Sequence, residues 1–313
     1  NKELADGPDF NYCSHVAKLV TVRMAVLRPD RRDRRLSAVD IRQAFLQAHQ
    51  YPDGMVKYIV FICPLTGQKR YFRQSGPIYG EASAPVRWEH TLAPWMVEMG
   101  FTQAMNEQCV FYHEARDLLV ISYVDDCLSC GFQSDIEWFE ELLATRFDCK
   151  EMEWLSPDTP LDFLGMNIIM DKDRIYISME KYIHFMLDAL DMSDIRPASL
   201  PIKGPIDGSS AALLPHLRRK FMTGNGMLGW LVNTARPDVA YAHSRQSQHM
   251  ANPTQSAYES LEHTCRYLKG NAHFTISVPL RSEDAPVSSM LTALKKYNLN
   301  INTAPEFFAD SDL

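Results

Sequence analysis

The sequence predicts an α+β protein in which an antiparallel sheet is flanked by helices. Two apolar runs on either side of an Asp-Asp pair, within Leu118–Phe132, are typical of a β-hairpin. A β-branched run over Val56–Ile62 predicts another strand. In the last third of the chain, apolar residues recur at helical spacing over Tyr258–Leu268 before Gly270, which indicates an amphipathic helix with a C-terminal glycine.

The first hundred residues alternate between helical and extended patterns. Apolar spacing predicts a helix over Ser14–Leu27, which ends before Pro29. Leu36–Phe45 predicts a short strand that runs into a turn of helix, with Asp40 at the change of pattern. Ala84–Met99 has the apolar spacing of a further helix.

Elements continue in both patterns after the hairpin. Helices are predicted over Ser134–Thr145 and Met179–Leu190, and strands around Phe163–Ile169 and Arg174–Ile177. The segment Lys203–Pro215 is rich in Pro, Gly and Ser and separates the strand-bearing part from a remainder that is predicted to be almost wholly helical.

Composition restricts the classes of function. Hydrophobic residues make up 46% and charged residues 23% of the 313 residues, as in soluble globular chains. The formal net charge of −7 provides no bulk positive field, so any nucleic-acid binding must use local patches. No stretch approaches the roughly 18 apolar residues of a membrane span. Seven scattered cysteines favour reduced thiols in a cytosolic or nuclear compartment.

The turn of the predicted hairpin carries the strongest chemical signal. Asp125 and Asp126 stand where a two-residue loop favours Asn-Gly or Gly-Gly. Adjacent carboxylates repel each other and are stabilised together chiefly by a cation, and hard oxygen ligands suit Mg²⁺. Two-metal chemistry needs acids from separate segments, and Asp40 is the candidate third acid. Because Asp-Asp pairs are common, an ordinary solvated turn remains open on this pattern alone.

Ordered motifs along the chain resemble those of reverse transcriptases of copia-type retrotransposons. Asp40–Leu46 and Tyr123–Asp126 resemble the catalytic motifs, and Tyr79-Gly80 with Ala84-Pro85 and Trp88 resembles the segment Leu-Tyr-Gly-Leu-Lys-Gln-Ala-Pro-Arg-Ala-Trp. Later landmarks of the family are resembled by Phe163–Ile168, Tyr182-Ile183, Gly229–Leu231, Thr234–Ala242 and Leu261–Gly270. The resemblance covers nearly the whole chain.

This resemblance implies a right-hand polymerase palm followed by a helical thumb and connection region. Residues 1–170 would form partial fingers and palm, 171–285 the thumb and connection, and 286–313 a linker and the truncated start of an RNase H domain. The implied activity is RNA-directed DNA polymerisation in a fragment of a Pol polyprotein, in which a primer 3′-hydroxyl attacks a deoxynucleoside triphosphate. The implied partners are a primed RNA or DNA template and the remaining domains, integrase and RNase H, without a membrane. The implied location is the cytoplasm, in virus-like particles, with passage to the nucleus.

Carried over residue by residue, the resemblance assigns a role to each position of the site. Asp40, Asp125 and Asp126 would hold two Mg²⁺ ions, for which Mn²⁺ can substitute, together with the backbone carbonyl of Ile41. The incoming nucleotide would lie against Ile41, Arg42, Phe45 and Ser83, and the primer and template against Tyr123 and Val124. Phe45 resembles the steric gate that excludes a 2′-hydroxyl, although periodicity alone makes it a core aromatic.

The middle motif departs from the family pattern. The Lys-Gln pair reads Ala82-Ser83, Glu81 replaces a leucine and Val86 an arginine. Because a cation is lost and an acid is gained beside a polyanionic substrate, weaker binding is expected. The basic fingers segment of the family is expected upstream of this chain. Phe307–Asp312 resembles the first strand of the RNase H domain, with Asp310 as its first acid.

Several alternatives stay open at this point. The chain could be a catalytically inactive relic that folds and binds nucleic acid or a partner, or a metal-dependent phosphohydrolase that uses the same acids. Cys127 and Cys130 have a zinc-like spacing that strand periodicity also explains. The cationic run Arg28–Arg35 is a solvated loop or a phosphate contact. Six aromatic and basic residues fit either a template-binding surface or ordinary half-exposed strand faces. They are Lys57, Tyr58, Lys69, Arg70, Tyr71 and Phe72.

Overall fold

The computed structural model describes residues 13–27, 34–51 and 56–280. The predicted RNase H strand at Phe307–Asp312, with Asp310, lies outside these residues, as does most of the cationic run. The chain divides into two units, one of Asn1–Lys18, Asp33–Glu153 and Asp284–Leu313 and one of Leu19–Arg32 and Trp154–Glu283. These units are defined by internal contacts, and the predicted division at residues 170 and 285 into palm, thumb and RNase H parts stays a prediction.

Runs of antiparallel strands and runs of helices follow one another along the chain, which confirms the predicted α+β class. The helices are α1 (Leu19–Val26), α2 (Ala44–Gln47), α3 (Ala84–Glu98), α4 (Gln133–Arg146), α5 (Glu180–Ala189), α6 (Pro215–Thr234), α7 (Ala240–Ser247) and α8 (Gln255–Gly270). The strands are β1 (Arg34–Asp40), β2 (Lys57–Ile62), β3 (Lys69–Gln74), β4 (Thr102–Ala104), β5 (Glu107–His113), β6 (Leu118–Tyr123), β7 (Asp126–Phe132), β8 (Glu153–Trp154), β9 (Leu161–Phe163), β10 (Met166–Met170), β11 (Arg174–Ser178) and β12 (Thr275–Pro279).

The main sheet of the first unit is built around the predicted hairpin. Its strand order is β4-β5-β6-β7-β1, with the short β8 beyond β1 at the unit boundary. β6 and β7 pair antiparallel from Leu119 opposite Cys130 to Tyr123 opposite Asp126, which confirms the hairpin. Their continuous apolar runs are buried in the middle of the sheet. Helix α4 packs on β7 and β1, and α3 packs on β4 and β5.

Helix α3 confirms the prediction over Ala84–Met99. Pro85 lies in its first turn, where the missing amide hydrogen costs nothing. Beyond the helix, Gly100 has a φ of 94°, and its amide donates to the carbonyl of Val97. A Cβ added at Gly100 would lie 3.0 Å from His113 Nε2, so both conformation and packing favour glycine here.

Helix α1 is shorter than the predicted Ser14–Leu27. The backbone amide of His15 donates to Glu89 Oε2 at 2.9 Å, and that of Lys18 donates to Glu107 Oε1 at 2.6 Å. Because these amides bond to distant side chains, the segment before Leu19 does not enter the helical hydrogen-bond pattern. The helix therefore begins five residues later than its apolar spacing indicates.

A separate two-stranded ribbon is formed by β2 and β3. It confirms the predicted strand at Val56–Ile62, but it is exposed on both faces. Tyr58 is 65% and Tyr71 67% exposed, and Tyr58 lies opposite Arg73. The ribbon is therefore more open than the half-exposed strand that its pattern predicts, and its template role stays a prediction.

The second unit combines helices with a four-stranded antiparallel sheet of order β12-β11-β10-β9. Helices α6, α7 and α8 pack on one another, and α1 packs on α6. As predicted, the described remainder after Lys203–Pro215 is almost wholly helical, but it contains one strand that was not predicted, because Thr275–Pro279 forms β12 and pairs with β11. Its Thr-Ile-Ser-Val sequence has the β-branched alternation that predicts a strand. Within the described part of the chain, every helix is too short or too polar to cross a bilayer.

Candidate active site

The structure brings Asp40 together with the adjacent pair Asp125 and Asp126. β1 and β7 pair antiparallel and end with Asp40 directly opposite Asp126. The amide of Ile41 donates to the carbonyl oxygen of Asp125 at 2.7 Å. Opposed residues of antiparallel strands have Cβ atoms about 4.5–5.5 Å apart, so the three acids meet at one end of the sheet. Their convergence is confirmed, and their roles stay predictions.

The segment Asp148–Lys150 lies beside Asp40, on the side of β1 opposite β7. The amide of Lys150 donates to the Asp40 carbonyl at 2.9 Å, and the amide of Arg42 donates to the Asp148 carbonyl at 2.9 Å. Lys150 Nζ also lies 3.2 Å from Asp40 Oδ2. Lys150 has no local sequence signal, because its place beside Asp40 depends on a pairing between segments far apart in the chain.

Three acids and one lysine leave the site with an excess of negative charge. Burial, followed by the charges of Asp125 and Asp40, raises the pKa of Asp126 to about 6, while Lys150 acts in the opposite direction. The pKa of Tyr79 is also raised, first by burial and then by Asp125 and Asp40. Tyr79 therefore lies in the electrostatic field of the acids. Its motif resembles one of the family, but the resemblance assigned no role to this residue.

The donor chemistry fits Mg²⁺, because carboxylate oxygens are its preferred ligands and a cation would relieve the repulsion at Asp126. Within residues 13–27, 34–51 and 56–280, no group of three or more His, Cys, Asp or Glu side chains is close enough to hold a metal. Lys150 supplies the positive charge at Asp40.

Tyr123 and Val124 lie at the turn itself. Tyr123 is the last residue of β6 and is half-buried opposite Asp126. Val124 has a φ of 60°, in the left-handed region that β-branched residues avoid. The two loop residues are thus Val124 and Asp125, and not the Asp125-Asp126 pair that the sequence predicts, because Asp126 already pairs as the first residue of β7.

The predicted nucleotide-contacting residues at Ile41, Arg42 and Phe45 follow directly after Asp40. The Ile41 side chain is fully buried, so only its backbone can face the site. Arg42 is exposed, with Nη1 3.1 Å from Asp148 Oδ1. The half-buried Phe45 ring packs on Tyr79, with centroids 4.9 Å apart. Phe45 is thus a partly accessible ring at the edge of the site.

Ser83 is not brought to the surface of the site. It is fully buried, and its hydroxyl has no hydrogen-bond partner among the described residues. Its neighbour Glu81 accepts hydrogen bonds from Tyr51 Oη at 2.6 Å and from Gln74 Nε2 at 2.7 Å. Glu81 is therefore held in a local network, which accounts for an acid at this position, and Ala82 between the two is exposed.

Two further predicted features have structural explanations. Cys127 and Cys130 lie three residues apart on β7, so their side chains point to opposite faces of the sheet, and both are buried. Arg34 of the cationic run is also buried, and its guanidinium pairs with Asp117. Because they are buried, neither the two cysteines nor Arg34 can contact a ligand in this conformation.

Comparisons with known proteins agree on one family. A family model described as "Reverse transcriptase (RNA-dependent DNA polymerase)" matches residues 5–204. The chain is 24% identical over 290 residues to the retrovirus-related Pol polyprotein from transposon TNT 1-94 of Nicotiana tabacum. The aligned region covers 86% of this chain and 21% of the relative. It is 26% identical over 274 residues to the retrovirus-related Pol polyprotein from transposon RE2 of Arabidopsis thaliana, and this aligned region covers 84% of this chain and 18% of the relative. The chain thus spans about a fifth of the length of these relatives.

A solved telomerase from Candida albicans, in complex with a fragment of telomeric RNA, is also similar. It has 9% sequence identity and a TM-score of 0.34, and the match covers 84% of this chain and 50% of that chain.

Proposed function

Because this chain belongs to the reverse transcriptase (RNA-dependent DNA polymerase) family, we propose that it is the polymerase part of a copia-type retrotransposon Pol polyprotein. It extends a primer on an RNA or DNA template with deoxynucleoside triphosphates, and integrase and RNase H domains are its partners in the longer polyprotein. The single observation that carries the proposal is the meeting of Asp40 with Asp125 and Asp126 at the end of the sheet. The second unit would supply the thumb and connection.

Each residue of the site has a limited task in this mechanism. Asp40, Asp125, Asp126 and the Ile41 carbonyl would hold two Mg²⁺ ions, which neutralise charge on the reacting phosphate when bound. Arg42 would bind phosphate oxygens, and Phe45 would limit the space beneath the sugar. The chain therefore acts mainly by positioning and electrostatics, as is general for phosphoryl transfer.

Primer extension tests the proposal directly. The substrate is oligo(dT) annealed to poly(A), with dTTP and Mg²⁺, and it is given both to this chain and to a chain extended upstream by a fingers segment. Extension by either chain that is lost in its Asp40→Asn variant would support the proposal. Failure of both chains, with the fold intact by circular dichroism, would favour the inactive relic.

Sugar selection gives a more specific prediction. Phe45→Ala should raise ribonucleotide incorporation by about tenfold or more while leaving deoxynucleotide use largely intact, because the ring is expected to act by steric exclusion. The measurement is the ratio of kcat/KM for dTTP and UTP. Phe72→Ala, which removes an exposed aromatic from β3, is the matched control. An active Phe45→Ala variant with unchanged discrimination would make Phe45 a packing residue.

The altered middle motif gives another prediction. Ala82→Lys should lower the KM for dTTP by about tenfold at low salt and less at high salt, because it restores an exposed cation near a triphosphate. Ala211→Lys, also at an exposed alanine, controls for net charge. Sequence reasoning favours adding Ser83→Gln, but the burial of Ser83 predicts that this change lowers the melting temperature. An Ala82→Lys effect that Ala211→Lys reproduces would contradict a local role.

A further inference from the structure

A tryptophan of α3 is hydrogen-bonded to the turn that carries the acid pair. Trp88 is 3% exposed, and its indole Nε1 donates to the backbone carbonyl oxygen of Val124 at 2.6 Å. A buried indole N–H needs an acceptor wherever it lies. This hydrogen bond alone therefore does not distinguish a functional role from ordinary packing. The residue that provides the acceptor makes that distinction.

The acceptor belongs to the residue with the least favourable backbone conformation of the turn. Val124 has a φ of 60° and is the first of the two loop residues between Tyr123 and Asp126. Hairpins that need a positive φ at this position usually place glycine there. A β-branched valine adopts it only when the surroundings hold it. The hydrogen bond from Trp88 is a restraint of that kind.

The same indole also contacts the segment on the far side of Asp40. Trp88 packs edge-on against Phe147, with ring centroids 5.2 Å apart and an interplanar angle of 73°. Phe147 directly precedes Asp148–Lys150, whose backbone pairs with the end of β1. One buried side chain therefore links the turn on one side of Asp40 to the segment on its other side.

We propose that Trp88 is a positioning residue that holds the Val124–Asp125 turn in its left-handed conformation. It thereby fixes Asp125 and Asp126 relative to Asp40. Trp88 acts through the backbone of Val124 and through Phe147. Its effect on turnover rests on the proposed polymerase function, whereas its restraint of the turn is a property of the chain itself and can be measured without substrate.

Hydrogen exchange tests the restraint in the absence of substrate and metal. Trp88→Phe keeps an aromatic ring and removes the donor. We expect it to speed amide exchange about tenfold in peptides that cover the turn and Ile41, whose amide bonds to Asp125. Trp95→Phe is the matched control, because Trp95 lies on the same helix and packs on the same Phe147 ring at 5.2 Å. Equal exchange in the two variants would overturn the proposal.

Steady-state kinetics test the consequence in whichever chain extends primers. Trp88→Phe should lower kcat about tenfold with the KM for dTTP changed less than about twofold, because misplaced acids affect the chemical step more than binding. Adding Val124→Gly should restore most of this loss, since glycine adopts a positive φ without strain. A loss no larger than that of Trp95→Phe, or no rescue by glycine, would overturn the proposal. If no chain extends primers, the proposed function fails, and hydrogen exchange still decides the role of Trp88.

Discussion

Asp126→Asn is expected to abolish primer extension and at the same time to raise the melting temperature of the metal-free protein. Activity should fall at least about a thousandfold, because in the proposed mechanism a neutral amide would no longer help to hold the Mg²⁺ ions that neutralise charge on the reacting phosphate. Stability should rise because Asp126 lies beside Asp125 and Asp40, where burial and the two like charges raise its pKa to about 6. The carboxylate is thus expected to be required for activity and to be unfavourable for folding.

The sign of the pH dependence follows from this raised pKa. The folded state holds the Asp126 proton more tightly than the unfolded state, so this group favours folding below about pH 4 and loses that contribution as pH rises through about 6. At pH 7.5 in EDTA, removal of the charge should stabilise the chain by about 1 kcal/mol after allowance for solvent screening. At pH 5 the difference from the wild type should shrink.

Thermal unfolding of the full chain checks this prediction. We expect Asp126→Asn to raise the melting temperature by about 2–4 °C at pH 7.5 in EDTA. Saturating Mg²⁺ should stabilise the wild type but not the variant, because in the proposed site the ion would bind the ionised acids of the folded state. Asp194→Asn, at an exposed position of the second unit, is the control and should have neither effect. A variant that is less stable than the wild type in EDTA would contradict the account of charge repulsion.

Elements specified by local sequence were the most predictable. The hairpin over Leu118–Phe132 and the helix ending before Gly100 follow from apolar periodicity and from a glycine with positive φ, which act within a few residues. Helix α1 was overestimated because its first predicted turn is held by carboxylates of Glu89 and Glu107, far along the chain. Strand β12 was missed although its β-branched alternation was a usable signal.

The candidate site divides in the same way. The meeting of Asp40 with Asp126 was predictable from ordered motifs, because the resemblance supplied a long-range pairing that periodicity cannot supply. Lys150 and the bond from Trp88 to Val124 depend on side chains from separate segments and have no local signature. The burial of Ser83 was missed for the same reason, since an aligned motif indicates which residue occupies a position and not how its side chain is packed.

The largest expected loss of stability lies in the second unit, at the ion pair of Arg236 and Asp238. Arg236 is 1% exposed, its Nε donates to Asp238 Oδ1 at 2.9 Å, and its Nη2 donates to Asp238 Oδ2 at 2.7 Å. Tyr267 Oη donates to the same carboxylate at 2.9 Å. Burial alone raises the pKa of Asp238, but the hydrogen bond and charge of Arg236, with the tyrosine hydroxyl, outweigh it and hold that pKa below its usual value.

Asp238→Ala should therefore lower the free energy of unfolding by about 3–5 kcal/mol, because a buried guanidinium is left without its counter-charge. Urea unfolding of the full chain at pH 7 measures the loss. Asp162→Ala is the matched control: Asp162 pairs with Lys181 at 3.0 Å in the same unit, but both side chains are exposed, so a loss of less than about 1 kcal/mol is expected.

The pH dependence of this loss follows from the lowered pKa of Asp238. The contribution of Asp238 is present above about pH 4 and is lost as pH falls through the folded pKa, so the difference between wild type and Asp238→Ala should shrink in acid. A cost at pH 7 no larger than that of Asp162→Ala would show that Arg236 finds other partners when its carboxylate is removed.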